Sequence, residues 1–186
     1  MAFALAFVIC PTELVAQCEI QKLAISDAEP ADQLGRSVSI SGNVAVIGHR
    51  YEECQDGPGA CGATYVYRFD GLEWHEEQKL TASDAEPANF GWSVSNHGDL
   101  IVIGTPYDDC DSGSSCGAAY VYRFDGETWV EEQKLTASDG ATDDQFGWSV
   151  SVNLDTVVVG ARLKTCIDGP RCGAAYVYRF DGSTWT

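Results

Sequence analysis

Basic residues are scarce in this chain. Lysine and arginine together number 11 against 28 aspartates and glutamates, a net charge of −17. That deficit argues against nucleic acid as a partner, because its binders gather basic patches, and against adsorption to anionic membranes. A soluble acidic exterior accounts for the charge; a site for cations or cationic ligands is the sharper alternative. Histidine is limited to His49, His75 and His97, none of which recurs at a repeated position, so four-ligand zinc sites are not supported. The apolar run Ala2–Ile9 is too short to span a bilayer. No stretch carries a helical stripe of period 3.6. The chain also lacks a G-x-S-x-G elbow, an H-E-x-x-H helix and a phosphate-binding glycine loop. The acidic pairs Glu76-Glu77 and Glu131-Glu132 would suit glycosidase chemistry only if they converged. Adjacent residues on a strand point to opposite faces, so a solvated strand edge is the expectation and the chain is not expected to be an enzyme.

Cysteine, by contrast, is plentiful. Six of the eight fall into Cys54/Cys61, Cys110/Cys116 and Cys166/Cys172, each pair just ahead of one recurring line: CGATYVYRFDG at 61–71 and CGAAYVYRFDG at 116–126 and 172–182. Such regularity predicts one small disulfide loop per repeat in an oxidising compartment, with reduced core cysteines as the alternative. Closing each loop is worth about 2 kcal/mol in the chain-entropy model. The N-terminus points the same way. Residues 1–17 combine the apolar run with Val15-Ala16-Gln17, an atypical signal peptide with no basic residue ahead of the run. A buried N-terminal strand is the other reading of that segment. The fates of Cys10 and Cys18 are left open.

Repetition organises the rest. Gly35, Gly91 and Gly147 are each 56 residues apart, and Gln-Lys-Leu recurs at 21–23, 78–80 and 133–135. Repeats of this length mark solenoids, propellers or arrays. The expected units are approximately 19–74, 75–130 and 131–186 within a repeat region 18–186. Inside a unit the period is two: in Ala119–Phe124, Tyr120, Tyr122 and Phe124 point one way and Ala119, Val121 and Arg123 the other. Ser41-Gly42-Asn43 and the Phe-Asp-Gly triplets at 69–71, 124–126 and 180–182 supply tight turns. The middle copy is predicted to hold four strands, at 91–96, 99–105, 117–124 and 127–137. The fold class is therefore all-β: a propeller-type array of about three four-stranded antiparallel blades, a partial propeller. The tyrosines are expected to pack between blades, with carbohydrate stacking as the alternative. The linkers SDAEPADQ, SDAEPAN and SDGATDDQ are expected to be solvated turns.

Phe90-Gly91-Trp92-Ser93-Val94 with Ile103-Gly104-Thr105-Pro106, and Phe146-Gly147-Trp148-Ser149-Val150 with Gly160-Ala161-Arg162, resemble the FG-GAP repeat of integrin-α-type β-propellers, in its secreted bacterial form. Leu34-Gly35-Arg36-Ser37-Val38 with Gly48-His49-Arg50 is a looser first copy, so the resemblance covers about residues 19–186. It implies a propeller of about seven blades used outside the cell, secreted or at the cell surface, for adhesion or ligand binding. Two features depart from it. The integrin-type calcium loop is absent, since the first two strands are joined by a turn as short as Ser41-Gly42-Asn43, so calcium is not carried over and no cofactor is expected. Three units also do not close a ring, which suggests a fragment of a longer propeller or self-association to complete one. Asp108, Asp109 and Asp111 beside Gly113 are the weak metal candidates, against a reading as an acidic loop tip. The expected partner is an extracellular protein or glycan, met on the variable loops 49–58, 106–115 and 162–171. Specificity would reside in the changing pairs His49-Arg50, Thr105-Pro106 and Ala161-Arg162. A structural spacer in a larger surface protein, or an accessory piece of a secreted enzyme, are the competing readings.

Overall fold

The computed structural model describes residues 19–27, 33–54, 59–84, 88–111, 113–166, 169 and 171–186. The export segment expected at 1–17, with Cys10 and Cys18, lies outside the described residues. Every regular element among them is a strand: β1 (Ser37–Ser41), β2 (Val44–His49), β3 (Ala63–Phe69), β4 (Trp74–Leu80), β5 (Ser93–His97), β6 (Leu100–Thr105), β7 (Ala118–Phe124), β8 (Trp129–Leu135), β9 (Phe146–Asn153), β10 (Thr156–Ala161) and β11 (Ala174–Arg179). They form three antiparallel meanders, β1-β2-β3-β4, β5-β6-β7-β8 and β9-β10-β11. In the third, Phe180 bridges Trp185 where the others run into an outer strand. These are the propeller blades that the two-residue alternation and the turn triplets predict. The four strands of the middle copy all fall within two residues of their expected limits.

The alternation has a physical outcome in the stacking of blades. From β7, Tyr120 and Tyr122 join Phe90, Ile101, Ile103 and Trp129 against Val44, Val46, Val66 and Leu80 of the first blade. The opposite face of the same strand, Ala119 and Val121, meets Phe146, Val152, Val157, Val159 and Trp185 of the third. A strand buried on both faces needs apolar residues at consecutive positions, and that is why β6 reads Leu-Ile-Val-Ile. Phe90 sits edge-on to Tyr120 and Tyr122, at 5.5 and 6.1 Å, and Phe146 repeats this with Tyr176 and Tyr178 at 5.4 and 6.1 Å, geometries that aromatic quadrupoles favour. The tyrosines are thus inter-blade packing groups.

Three polar devices fix each junction. First, the Phe-Gly corner docks on the strip following the second cysteine of the preceding blade. Phe90 N–H donates to Cys61 O at 2.8 Å, and Phe146 N–H to Cys116 O at 2.9 Å. A Cβ on Gly62 or Gly117 would collide with the carbonyl oxygen of Phe90 or Phe146, so glycine is required where the two backbones touch. The disulfides Cys54–Cys61, Cys110–Cys116 and Cys166–Cys172 all form, and the first two close the loops that present these strips.

Second, a serine on the first strand reaches the next blade. Ser37 Oγ donates to Gly91 O at 2.7 Å and Ser93 Oγ to Gly147 O at 2.8 Å.

Third, a glutamine side chain acts as one extra residue of strand. Gln78 Nε2 donates to Trp129 O and accepts from Trp129 N–H, both at 2.8 Å. Gln133 does the same with Trp185, and Gln21 with Trp74. Residues 21–25 thereby hold, against the first blade, the place that β4 holds against the second, with Leu23 and Ile25 packed beside Tyr65 and Tyr67. Replacing Gln78 by leucine removes both bonds and strands two backbone groups of the buried Trp129. The expected loss is about 2 kcal/mol, read as a lower urea midpoint at constant m-value; a loss below about 0.5 kcal/mol would show that the clamp contributes nothing to stability.

Candidate functional site

The antiparallel registers put the ends of β2, β4, β6, β8 and β10 on one rim. The inter-blade linkers and the cysteine loops lie there, while the hairpin and Phe-Asp-Gly turns lie on the other. Asp70, Asp125 and Asp181 tie that opposite rim down by accepting the N–H groups two and three residues on, at 2.7 to 2.9 Å.

The loop rim carries a repeated charge cluster. Tyr65, Tyr120 and Tyr176 each donate a 2.7 Å hydrogen bond to the first aspartate of the linker before their blade: Asp27, Asp84 and Asp139. Lys79 bridges Asp27 and Glu52 at 2.6 and 2.5 Å, and Lys134 bridges Asp84 and Asp108 at 2.6 and 2.7 Å. In the third blade the ammonium comes from the β10–β11 loop instead, where Lys164 meets Asp139 and Asp144 at 3.2 and 2.9 Å. The linkers, expected to be merely solvated, therefore begin with a structural carboxylate.

These clusters set a pH window. The hydrogen bond from Lys79 holds the Asp27 carboxyl below the ordinary carboxylate range. Burial opposes ionisation of Asp84, but Lys134 and Tyr120 outweigh it and its pKa is lowered. Burial, reinforced by the aspartates, pushes the Tyr65 and Tyr120 phenols up, and Tyr176 up to about 12. A lowered carboxyl adds stability that is present above about pH 4 and lost as pH falls through the folded value. A raised phenol adds stability present below about pH 10 and lost above it. Urea midpoints are accordingly expected to be level between about pH 5 and 9 and to fall on both sides. The alkaline fall should shrink in Tyr120→Phe; an unchanged alkaline limb in that variant would refute the assignment.

The candidate metal ligands do not converge. Asp108 is buried against Lys134, Asp109 Oδ1 accepts Ser115 N–H at 2.9 Å within its own loop, and Asp111 is exposed. Among the described residues no group of three or more histidine, cysteine or carboxylate side chains is placed to hold a metal ion.

The acidic pairs diverge, and each member is held by partners of its own. Glu76 accepts Ser26 N–H and Oγ, both at 2.9 Å, while Glu77 takes Arg68 at 2.5 and 3.1 Å and Trp129 Nε1 at 3.0 Å. Glu131 and Glu132 repeat this with Ser83, Arg123 and Trp185. A bulge opposite Val66-Tyr67 and Val121-Tyr122 leaves Glu77 and Glu132 as the extra residues, aiming them outward.

The changing pairs are less available than their variability suggested. His49, Thr105 and Ala161 are fully buried and Pro106 is buried, because each ends a strand that the neighbouring blade covers. Arg50 and Arg162 remain, and they meet aromatic residues that the sequence reading did not single out. Trp92 and Trp148, the residues after the two Phe-Gly corners, meet at a 52° tilt with centroids 4.6 Å apart. Arg36 and Arg50 lie 5.2 and 4.8 Å over Trp92, and Arg162 lies 4.2 Å over Trp148. Tyr107 meets Trp92 edge-on at 5.2 Å.

The blade architecture, the glycine-corner docking and the rim agree with what the family comparison finds: the FG-GAP repeat matches residues 18–67, 74–122 and 129–178. The chain belongs to the FG-GAP repeat family. Each FG-GAP match opens on the outer-strand position of one blade and runs into β3, β7 or β11 of the next. The family pattern and the sheets are thus out of phase by one strand, and each FG-GAP unit spans a blade junction.

Proposed function

We propose that the chain is an extracellular, non-enzymatic binding module whose loop rim meets a protein or glycan partner. One observation carries this reading: the junction bonds of the scaffold recur from blade to blade, while the cysteine loops on the loop rim differ between copies. Three disulfides among the described residues favour an oxidising compartment, and a rigid scaffold with variable loops is a common binding arrangement. No cofactor enters the reading.

Labelled protein applied to arrayed extracellular-matrix proteins and glycans should give a saturable signal. That signal should be lost on combined alanine replacement of Asp109, Ser114, Arg162 and Arg171, and kept on replacement of Glu127 and Ser183 at the opposite rim. Absence of any saturable signal, or one indifferent to the rim, would favour the spacer reading.

A spacer that self-associates has an observation of its own. The third blade leaves Val158 and Val177 at 37 and 63 % exposure, whereas the equivalent Val46, Val66, Val102 and Val121 are fully buried by the blade that follows. Gly173 is also less confined: the nearest atom to an added Cβ would be Arg162 O of its own blade at 3.3 Å, where Gly62 and Gly117 abut the next corner far more closely. This face is cut to receive one more blade of the same kind, and we infer that a second copy of the chain can supply it.

A further inference from the structure

We propose that the loop rim carries a binding site for an acidic sugar, formed by Trp92 and Trp148 together with Arg36, Arg50 and Arg162. The inference rests on reading the rim as the binding surface and names the ligand class it takes.

Charge makes the cluster unusual. In a chain of net charge −17, five of the 11 lysines and arginines, Arg68, Lys79, Arg123, Lys134 and Lys164, are committed to carboxylates. Arg36, Arg50 and Arg162 have no carboxylate partner among the described residues, and Arg50 Nε is buried without a hydrogen-bond partner. All three lie over indoles instead. Stacking pins a guanidinium plane while leaving its edge donors available, so Arg36 and Arg162, both exposed, can present bidentate donors at low entropic cost.

The remaining surface narrows the ligand. Both indoles are half-buried and offer apolar area beside the guanidinium edges. A pyranose ring bearing a carboxylate matches that pairing, with C–H groups against the indole and the acid on arginine. A simple peptide carboxylate has no flat apolar face to use. Extended polyanions face a net charge of −17 beyond the three arginines, so a single acidic residue, free or at a chain end, is the unit recognised.

Titration with glucuronate, followed by the indole N–H resonances, tests this. Glucuronate should shift Trp92 and Trp148 saturably and leave Trp74, Trp129 and Trp185, which lie toward the opposite rim, unmoved. Its neutral amide should bind about tenfold more weakly, as should glucuronate to the double variant Arg36→Gln/Arg162→Gln. Ionic strength of about 1 M, where the screening length is about 3 Å, should abolish the difference between acid and amide; this reading needs no variant and covers the case where the double variant fails to fold. Equal shifts with glucose, amide and acid would overturn the charge assignment while leaving the rim as a sugar-binding surface. Shifts with N-acetylaspartate but not glucuronate would overturn the sugar in favour of a peptide acid. No shift at Trp92 or Trp148 with any probe, in protein whose array signal still depends on the rim, would overturn the site and spare the broader reading.

Discussion

Alanine at Gly147 is expected to cost roughly 4 kcal/mol, combining a left-handed backbone with an overpacked contact. Gly147 has φ +87°, and an added Cβ would collide with the Ala118 carbonyl oxygen and come within 2.9 Å of Thr105 N. Both obstacles are backbone atoms of strands that are themselves paired on either side, so neither can step aside. The comparison that isolates the effect is Gly42→Ala. Gly42 also has positive φ, +59°, but nothing lies within 4 Å of its would-be Cβ, so only the conformational penalty of about 1 kcal/mol applies. Urea denaturation of the two variants should separate them by several kcal/mol. Equal losses would mean that the corner is not in tight contact with the blade before it.

A second pair of substitutions exploits the repeat itself. Val121 and Val177 occupy the same place in consecutive blades, yet Val121 is fully buried and Val177 is 63 % exposed. Val121→Asp places a carboxylate between Ala119, Val157 and Val159 in the junction core. A penalty of about 4 kcal/mol or more is expected, a large fraction of the roughly 5–15 kcal/mol by which ordinary domains are stable. Val177→Asp should change stability by less than about 0.5 kcal/mol. If the open face takes a second copy, it should also abolish any concentration-dependent dimer seen by sedimentation. A large stability loss at Val177 would show that this face is already covered within the chain; a dimer that survives the substitution would show that association uses another surface.

The strands, the turns and the three disulfides were legible because their signals are local: alternation in Ala119–Phe124, glycine at Gly42, and cysteines six or seven residues apart. The junction chemistry was not. Gln78 reads as an ordinary polar residue on an exposed strand, and its partner Trp129 lies 51 residues away. For the acidic pairs the sequence offers strand alternation alone, which says where a side chain points but not what waits there; Ser26 and Ser83 arrive from linkers. The rim cluster was hidden for a related reason. Arg36, Trp92 and Trp148 sit at one repeat position, and comparing copies presents them as a mismatch. Only stacking of adjacent blades reveals that the arginine of one copy covers the indole of the next.

The glutamine clamp and the cysteine-glycine strip bear on how such a chain changes length. Both blade junctions close with the same bonds, between residues whose spacing differs by a single position. A duplication or excision of one full 56-residue period at the genetic level therefore recreates a competent seam on either side of the splice. Blade number can drift by copying errors, with no new contact surface having to evolve first.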